Sequence, residues 1–290
     1  RPLQITFEGD NSMPALSPSS DKILFVSRQR KGHVHTQIYE FNLLTKTERR
    51  MTFQSGDNAW PLWVSATSYV YFSSTDELKE RPSLIYEPQP VAESIFKFFN
   101  KQEPPPFDVY IHNTEQNHQE RLAENPGFDG FPTLQSNLLS LTSSKDSKAV
   151  IRTLNIQTGK QISIRTTDPH IYSVPSPNQK MSVALEVRSN GTALILKTPT
   201  EPDRQLVESP QPIQMPAWLP NSKGFVFAAK LNSDVTKDIW FYDVAKLALQ
   251  KVLSTTAEED EVAVAPSGDQ LAYSSGTSDT KQIYLIGVGL

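Results

Sequence analysis

Cysteine is absent from this chain of 290 residues, so thiol nucleophiles, Cys-bound zinc, iron–sulfur clusters and disulfides are all excluded. Any chemistry falls to histidine and the carboxylates. Five histidines are present: His33, His35, His112, His118 and His170. His33 and His35 alternate on one face of a strand end, but Lys31-Gly32 beside them marks a solvated hairpin turn, and no metal site is assigned there. His112 and His118 flank a second hairpin turn and are read as facing solvent. His170 belongs to a set defined by position, three residues ahead of a recurring anchor, where the chain has Asn11, Asn58, Asp129, His170, Ile213 and Glu259. Asp10, Asp57, Gln214 and Asp260 stand next to them. Brought together in a partly desolvated funnel, these groups would attract a cation, a basic peptide segment or a hydroxyl-rich ligand, because like charges add their fields there. His170 with Asp129 or Glu259 would also supply a general base or part of a metal site. The same Asn and Asp side chains also suit Asx-turns, in which they hydrogen-bond their own backbone.

The elements that must position these groups are short strands. Ile23-Leu24-Phe25-Val26, Val70-Tyr71-Phe72, Phe225-Val226-Phe227 and similar runs are β-branched or aromatic and are bounded by Ser, Pro, Asn, Asp or Gly. The residues ahead of them repeat. Pro14-Ala-Leu-Ser-Pro18-Ser-Ser-Asp-Lys-Ile-Leu-Phe returns as Pro216-Ala-Trp-Leu-Pro220-Asn-Ser-Lys-Gly-Phe-Val-Phe, and in weaker form from Pro61, Pro132, Ser173 and Val262. Anchors at 14, 61, 132, 173, 216 and 262 are spaced by 47, 71, 41, 43 and 46 residues. A period of 40 to 47 holding four short strands is that of a propeller blade. Pro fixes φ and cannot donate to a ladder, so it marks the first turn of each unit. A third-strand pattern, Gln37-Ile-Tyr, Asp108-Val-Tyr, Asp238-Ile-Trp and Gln282-Ile-Tyr, recurs in register.

The last copy has room for three strands. The 29 residues from Val262 onward and the 13 ahead of Pro14 together make 42, one period. Thr6-Phe7 to Asn11 also reproduces Thr52-Phe53 to Asn58. The expected architecture is therefore all-β, one six-bladed β-propeller domain over residues 1–290, with the N-terminal strand completing the last blade and leaving no open edge.

The repeat, Asp/Asn-x-x-Pro-x-Trp/Leu-Ser-Pro followed by an apolar run and Ile-Tyr/Trp, resembles that of the TolB-like propeller family, best over residues 8–27, 125–134, 214–229 and 238–243. The resemblance implies a binding body in the bacterial periplasm or another extracytoplasmic compartment. In that family TolB engages the lipoprotein Pal through its channel face. The same repeat serves as the gating domain of prolyl-oligopeptidase-type enzymes and occurs in some polysaccharide lyases.

The long spacing places an insertion at residues 76–106, rich in proline, whose apolar residues Val91, Ile95, Phe98 and Phe99 form one stripe of a short helix. Ile95, Phe98 and Phe99 either cap the propeller or dock a partner. Trp60, Trp63 and Trp218 are read as packing anchors of their blades. A net charge of −4 without a basic stripe argues against nucleic acid, and no apolar run is long enough to span a membrane. No Gly-x-Ser-x-Gly, His-Glu-x-x-His, phosphate-loop or EF-hand motif occurs. A start at Arg1 rather than Met carries the expectation that a leader or tag was removed. The expectation is a monomeric, non-catalytic propeller without cofactor or metal, which binds an envelope protein or peptide at an acidic channel mouth through Asn11, Asn58, Asp129, His170, Gln214, Glu259 and Asp260. The alternative is a lyase- or hydrolase-like enzyme built on the His and carboxylate cluster.

Overall fold

The computed structural model describes residues 1–77, 84–85, 93–102, 106–124, 127–145, 148–166 and 170–290. Strand β1 (Leu3–Gln4) opens the chain, and blade 1 follows as β2 (Asp10–Leu16), β3 (Lys22–Arg28), β4 (Gln37–Asn42) and β5 (Thr47–Arg50). Blade 2 holds β6 (Asn58–Ser65), β7 (Ser68–Ser73), β9 (Asp108–Asn113) and β10 (His118–Glu124); between β7 and β9 lie β8 (Leu84–Ile85) and helix α1 (Glu93–Phe98). Blade 3 is β11 (Phe128–Gln135), β12 (Leu138–Lys145), β13 (Lys148–Asn155) and β14 (Gln161–Thr166). Blade 4 is β15 (His170–Pro175), β16 (Ser182–Arg188), β17 (Gly191–Lys197) and β18 (Arg204–Ser209). Blade 5 is β19 (Ala217–Trp218), β20 (Gly224–Ala229), β21 (Asp238–Asp243) and β22 (Ala248–Leu253). Blade 6 begins with β23 (Glu258–Val264), β24 (Gln270–Gly276) and β25 (Lys281–Gly287).

β1 supplies the fourth strand of blade 6, pairing antiparallel to β25 with Leu3 opposite Leu285 and Gln4 opposite Tyr284. The pairing extends one residue further, where Ile5 N–H donates to Ile283 O at 2.8 Å. The ring thus closes through both ends of the chain, as the repeat arithmetic predicts. Within each blade the strands run antiparallel from the axis outward, and β8 adds a short parallel strand beyond β10 at the rim of blade 2. Long apolar runs such as Ile23–Val26 and Tyr69–Phe72 are fully buried because each middle strand has a neighbouring blade on both faces. Tyr69, Tyr71 and Tyr110 of blade 2 pack with Leu24, Val26 and Ile38 of blade 1.

The structure corrects the reading of His112. Its side chain is 1% exposed, because it stands directly opposite Tyr69 on the strand face turned toward blade 1. Tyr69 Oη lies 2.7 Å from His112 Nδ1. Burial pushes the imidazole down to about 4, so the ring is neutral at physiological pH. Turn proximity suggested solvent; strand alternation, which puts 110 and 112 on one buried face, decides otherwise.

Helix α1 forms where the stripe predicts, with Ile95 fully buried; Val91 lies outside the described residues. Phe98 packs on Phe131, and Phe99 on Phe128 and Phe131, with ring centroids 5.2 to 6.1 Å apart. The helix lies against β15 and β16 of blade 4 and, through Phe98 and Phe99, against β11 of blade 3.

Candidate functional site

The inner strands of all six blades converge on the axis, and each complete one carries an irregularity at the same place. The ladders between first and second strands slip between Ser12 and Ala15, Ala59 and Leu62, Gly130 and Thr133, His170 and Ser173, and Asp260 and Ala263. These are β-bulges, which re-aim a side chain. At four of them the residue just ahead of the anchor takes a left-handed conformation: Met13 (φ 51°), Trp60 (φ 46°), Phe131 (φ 50°) and Glu261 (φ 48°). Non-glycine residues adopt this region rarely and at a cost.

These residues link one blade to the next. Met13 N–H donates to Glu261 Oε2 at 2.9 Å, and Trp60 N–H points at Met13 Sδ at 3.3 Å. The Trp60 indole packs against Phe128 and Phe131, both at 5.7 Å between centroids, and Phe131 packs on Tyr172 at 5.7 Å. Tyr172 O–H then reaches the carbonyls of Ile213 and Gln214, each at 3.0 Å. A Cβ at Gly130 would meet Trp60 Cη2 at 2.8 Å, so only glycine allows the indole its seat. The result is a neck across the channel.

Below the neck a cavity of about 640 Å³ opens toward the turns that join first and second strands, lined from all six blades by Leu16, Trp63, Pro132, Gln135, Pro177, Gln214, Ala217, Ala263 and their neighbours. Trp63 and Trp218 wall it and tie blades together, donating to Ala15 O at 3.1 Å and to Val174 O at 3.0 Å. Above the neck a cavity of about 390 Å³ lies between blades 1, 2 and 6, with Asp10, Arg28, Asp57 and Lys281 on its wall. Met13, Trp60 and Glu261 border both cavities.

Of the positions three residues ahead of the anchors, none borders the lower cavity and Asn58 alone borders the upper one. Asn11, Asn58, Asp129 and Glu259 are at most 1% exposed, and Ile213 is fully buried. Their chemistry is that of a clasp between successive blades. Asn11 Nδ2 donates to Gln282 Oε1 (2.9 Å) and Glu8 O (2.9 Å), while Thr6 O–H donates to Gln282 Oε1 (2.7 Å) and accepts from Ile283 N–H (2.9 Å). One blade on, Asn58 Nδ2 donates to Thr36 O (2.8 Å), Thr52 O–H to Gln37 Oε1 (2.7 Å), and Ile38 N–H to Thr52 Oγ1 (2.8 Å). The Gln-Ile-Tyr of the third strand thus holds the crossover into the next blade, which explains why both motifs repeat. Asp129 is clasped instead by Arg152 and Ser143, all three fully buried. Glu259 accepts from Thr255 and Ser275 and is raised by burial.

Asp260 is 3% exposed and lies between Lys237 Nζ (2.9 Å) and Lys281 Nζ (2.8 Å). Burial pushes it up, but the two ammonium groups outweigh that and hold it low. His170 is half-buried, opposite Glu186 across the blade 4 ladder. The structure therefore keeps His170, Asp129 and Glu259 on three different blades. Among the described residues no group of three His, Asp or Glu side chains is placed to hold a metal ion. Of the ring, only Gln214 borders the larger cavity. The acid there is Glu261, missed because the register was taken three residues ahead of the anchor instead of one. At that position stand Met13, Trp60, Phe131, Tyr172 and Met215, all large and apolar, against which one Glu stands out. Its surroundings of apolar walls, and next the charge of Asp260, push Glu261 up to about 7.

Six antiparallel four-stranded blades with this closure define a six-bladed β-propeller, a fold shared with TolB structures. TolB from Acinetobacter baumannii matches with a TM-score of 0.61 at 11% identity, over 96% of this chain and 64% of that one, so the chain spans just under two thirds of its length. A TolB structure from Agrobacterium tumefaciens matches at 0.62 and 14% identity, over 89% of this chain and 86% of that one. Oligogalacturonate lyase in complex with manganese matches at 0.59 and 12% identity, over 99% of this chain and 80% of that one. Such identities show shared fold alone. No family profile and no curated protein sequence matches the chain. No helix among the described residues is long and apolar enough to cross a membrane.

Proposed function

We propose that this propeller is a non-catalytic binding body that takes an extended segment of a protein or peptide partner into its channel, in the periplasm or another extracytoplasmic compartment. The observation that carries the reading is the cavity below the neck. Its volume of about 640 Å³ lies inside the roughly 300–1,000 Å³ range of ligand sites. Its walls are Trp, Pro, Leu, Val, Met and Ala with a few amides and hydroxyls and the carboxylate of Glu261, a surface suited to burying side chains of an extended chain. The expected docking role of Ile95, Phe98 and Phe99 gives way to capping, since they are spent on the propeller itself. The TolB likeness supports both the binding role and the compartment.

The test is selection of random hexapeptides on the purified protein, with Ala263→Phe, which fills the cavity from β23, as the counter-target. Enriched peptides should bind the wild type and fail on Ala263→Phe while its circular dichroism and melting stay intact. Peptides that bind both equally, no enrichment at all, or cleavage of oligogalacturonate by the purified protein would overturn the reading.

A further inference from the structure

We propose that Glu261 is the recognition point of the channel for a primary ammonium group carried on an apolar ligand. This deepens the binding function above and rests on it. Among the described residues lining the cavity below the neck, Glu261 alone is ionisable; all others are apolar, amide or hydroxyl side chains. It sits at the neck, at the level of the half-buried Trp60 indole, where the lower cavity meets the upper one.

Its two oxygens are used unequally. Oε2 accepts from Met13 N–H at 2.9 Å and from Ser274 O–H at 3.3 Å, whereas Oε1 has no hydrogen bond among the described residues. Oε1 is open to the cavity and not sealed in the core, so a ligand donor can reach it and take the place of water there. An ammonium group offers three donors and a full positive charge, and it gains a second attraction from an indole face beside it. Lys281 and Lys237 act on Glu261 through space, but neither forms an ion pair with it among the described residues. Asp260 is held by Lys237 and Lys281, and Asp10 by Arg28 and the Lys281 N–H, all above the neck. Met13, held on the other side by Trp60 N–H, fixes the carboxylate's direction, and the bulge at Glu261 aims it at the axis.

The probe is hexylammonium, with hexanol as its neutral isostere, each titrated by calorimetry into the wild type, Glu261→Gln and Ala263→Phe. At pH 8 the wild type should prefer the ammonium by about 10-fold or more, a charge-assisted bond against a neutral one. With Glu261 pushed up to about 7, Asp260 held low beside Lys237 and Lys281, and Lys281 held high, the ionised fraction falls from about nine tenths at pH 8 to one tenth at pH 6. The preference should therefore fall about five- to ninefold over that interval and be absent in Glu261→Gln. The wild-type pH series needs no variant, so a Glu261→Gln protein that fails to fold leaves the proposal testable. N-acetyl-lysine methylamide and Ala-Pro-Ala amide distinguish a lysine side chain from a chain N-terminus; binding of either supports the assignment. Equal binding of hexylammonium and hexanol, both lost in Ala263→Phe, overturns the ammonium site and leaves channel binding standing. An ammonium preference that grows as pH falls, persistence of the preference in Glu261→Gln, or no binding of hexylammonium overturns it as well.

Discussion

The clasp reading of Asp129 makes a prediction that a ligand-binding reading does not. Arg152 and Asp129 are both fully buried, their side chains bonded to each other inside blade 3. Replacing Arg152 with Met keeps the apolar stem of the side chain and removes the guanidinium with its charge, leaving a carboxylate in the core with Ser143 among its remaining partners. Breaking a buried pair from one side costs about 3–5 kcal/mol, because the surviving charge keeps its desolvation penalty. At about 2.1 cal/mol/K per residue, 290 residues give an unfolding entropy of roughly 0.6 kcal/mol/K. The expected fall in Tm is then about 5–8 °C. The double variant Asp129→Asn with Arg152→Met removes both charges together and should recover most of the loss, to within about 2 kcal/mol of the wild type; the wild type, the two single variants and the double close the cycle. Scanning fluorimetry and urea denaturation of the four proteins measure the cycle. An Arg152→Met protein melting within about 2 °C of the wild type, or a double variant as unstable as the two single losses summed, would refute the clasp.

Three further outcomes are expected. Glu261→Gln should be more stable than the wild type at pH 8 by on the order of 2–3 kcal/mol. An acid raised from 4.5 to about 7 by folding favours the native state below 4.5 and loses that contribution as pH rises through 7, so urea midpoints should converge toward pH 5. His112, lowered from 6.5 to about 4, acts oppositely: its contribution is present above 6.5 and lost as pH falls through 4. His112→Gln should therefore remove up to about 3 kcal/mol of acid sensitivity in that window, read from the same denaturation series. Ile5→Asp should lower Tm by several degrees and expose residues 1–7 to protease, since Ile5 is 3% exposed in the closing blade, whereas Ile162→Asp at a 54% exposed site should be near neutral.

The architecture was legible in the sequence because its information is local and periodic. Proline anchors, strand-length apolar runs and a circular remainder depend on turn chemistry and chain length alone, and they determined six blades, the closing strand and the amphipathic helix around Ile95. The direction of a side chain at the axis is not local information. A bulge inserts one residue into the inner strand, and that single step turns Asn11, Asn58, Asp129 and Glu259 into the blades while turning Met13, Trp60 and Glu261 to the neck. Spacing alone could not tell three residues from one. The same holds for His112, whose burial is set by a neighbouring blade, and for Arg152, whose partner stands 23 residues away. Composition, repeat and closure belong to the sequence; which acid meets the channel was decided only by the tertiary structure, through the backbone conformation of one bulge and the packing of the blades on either side.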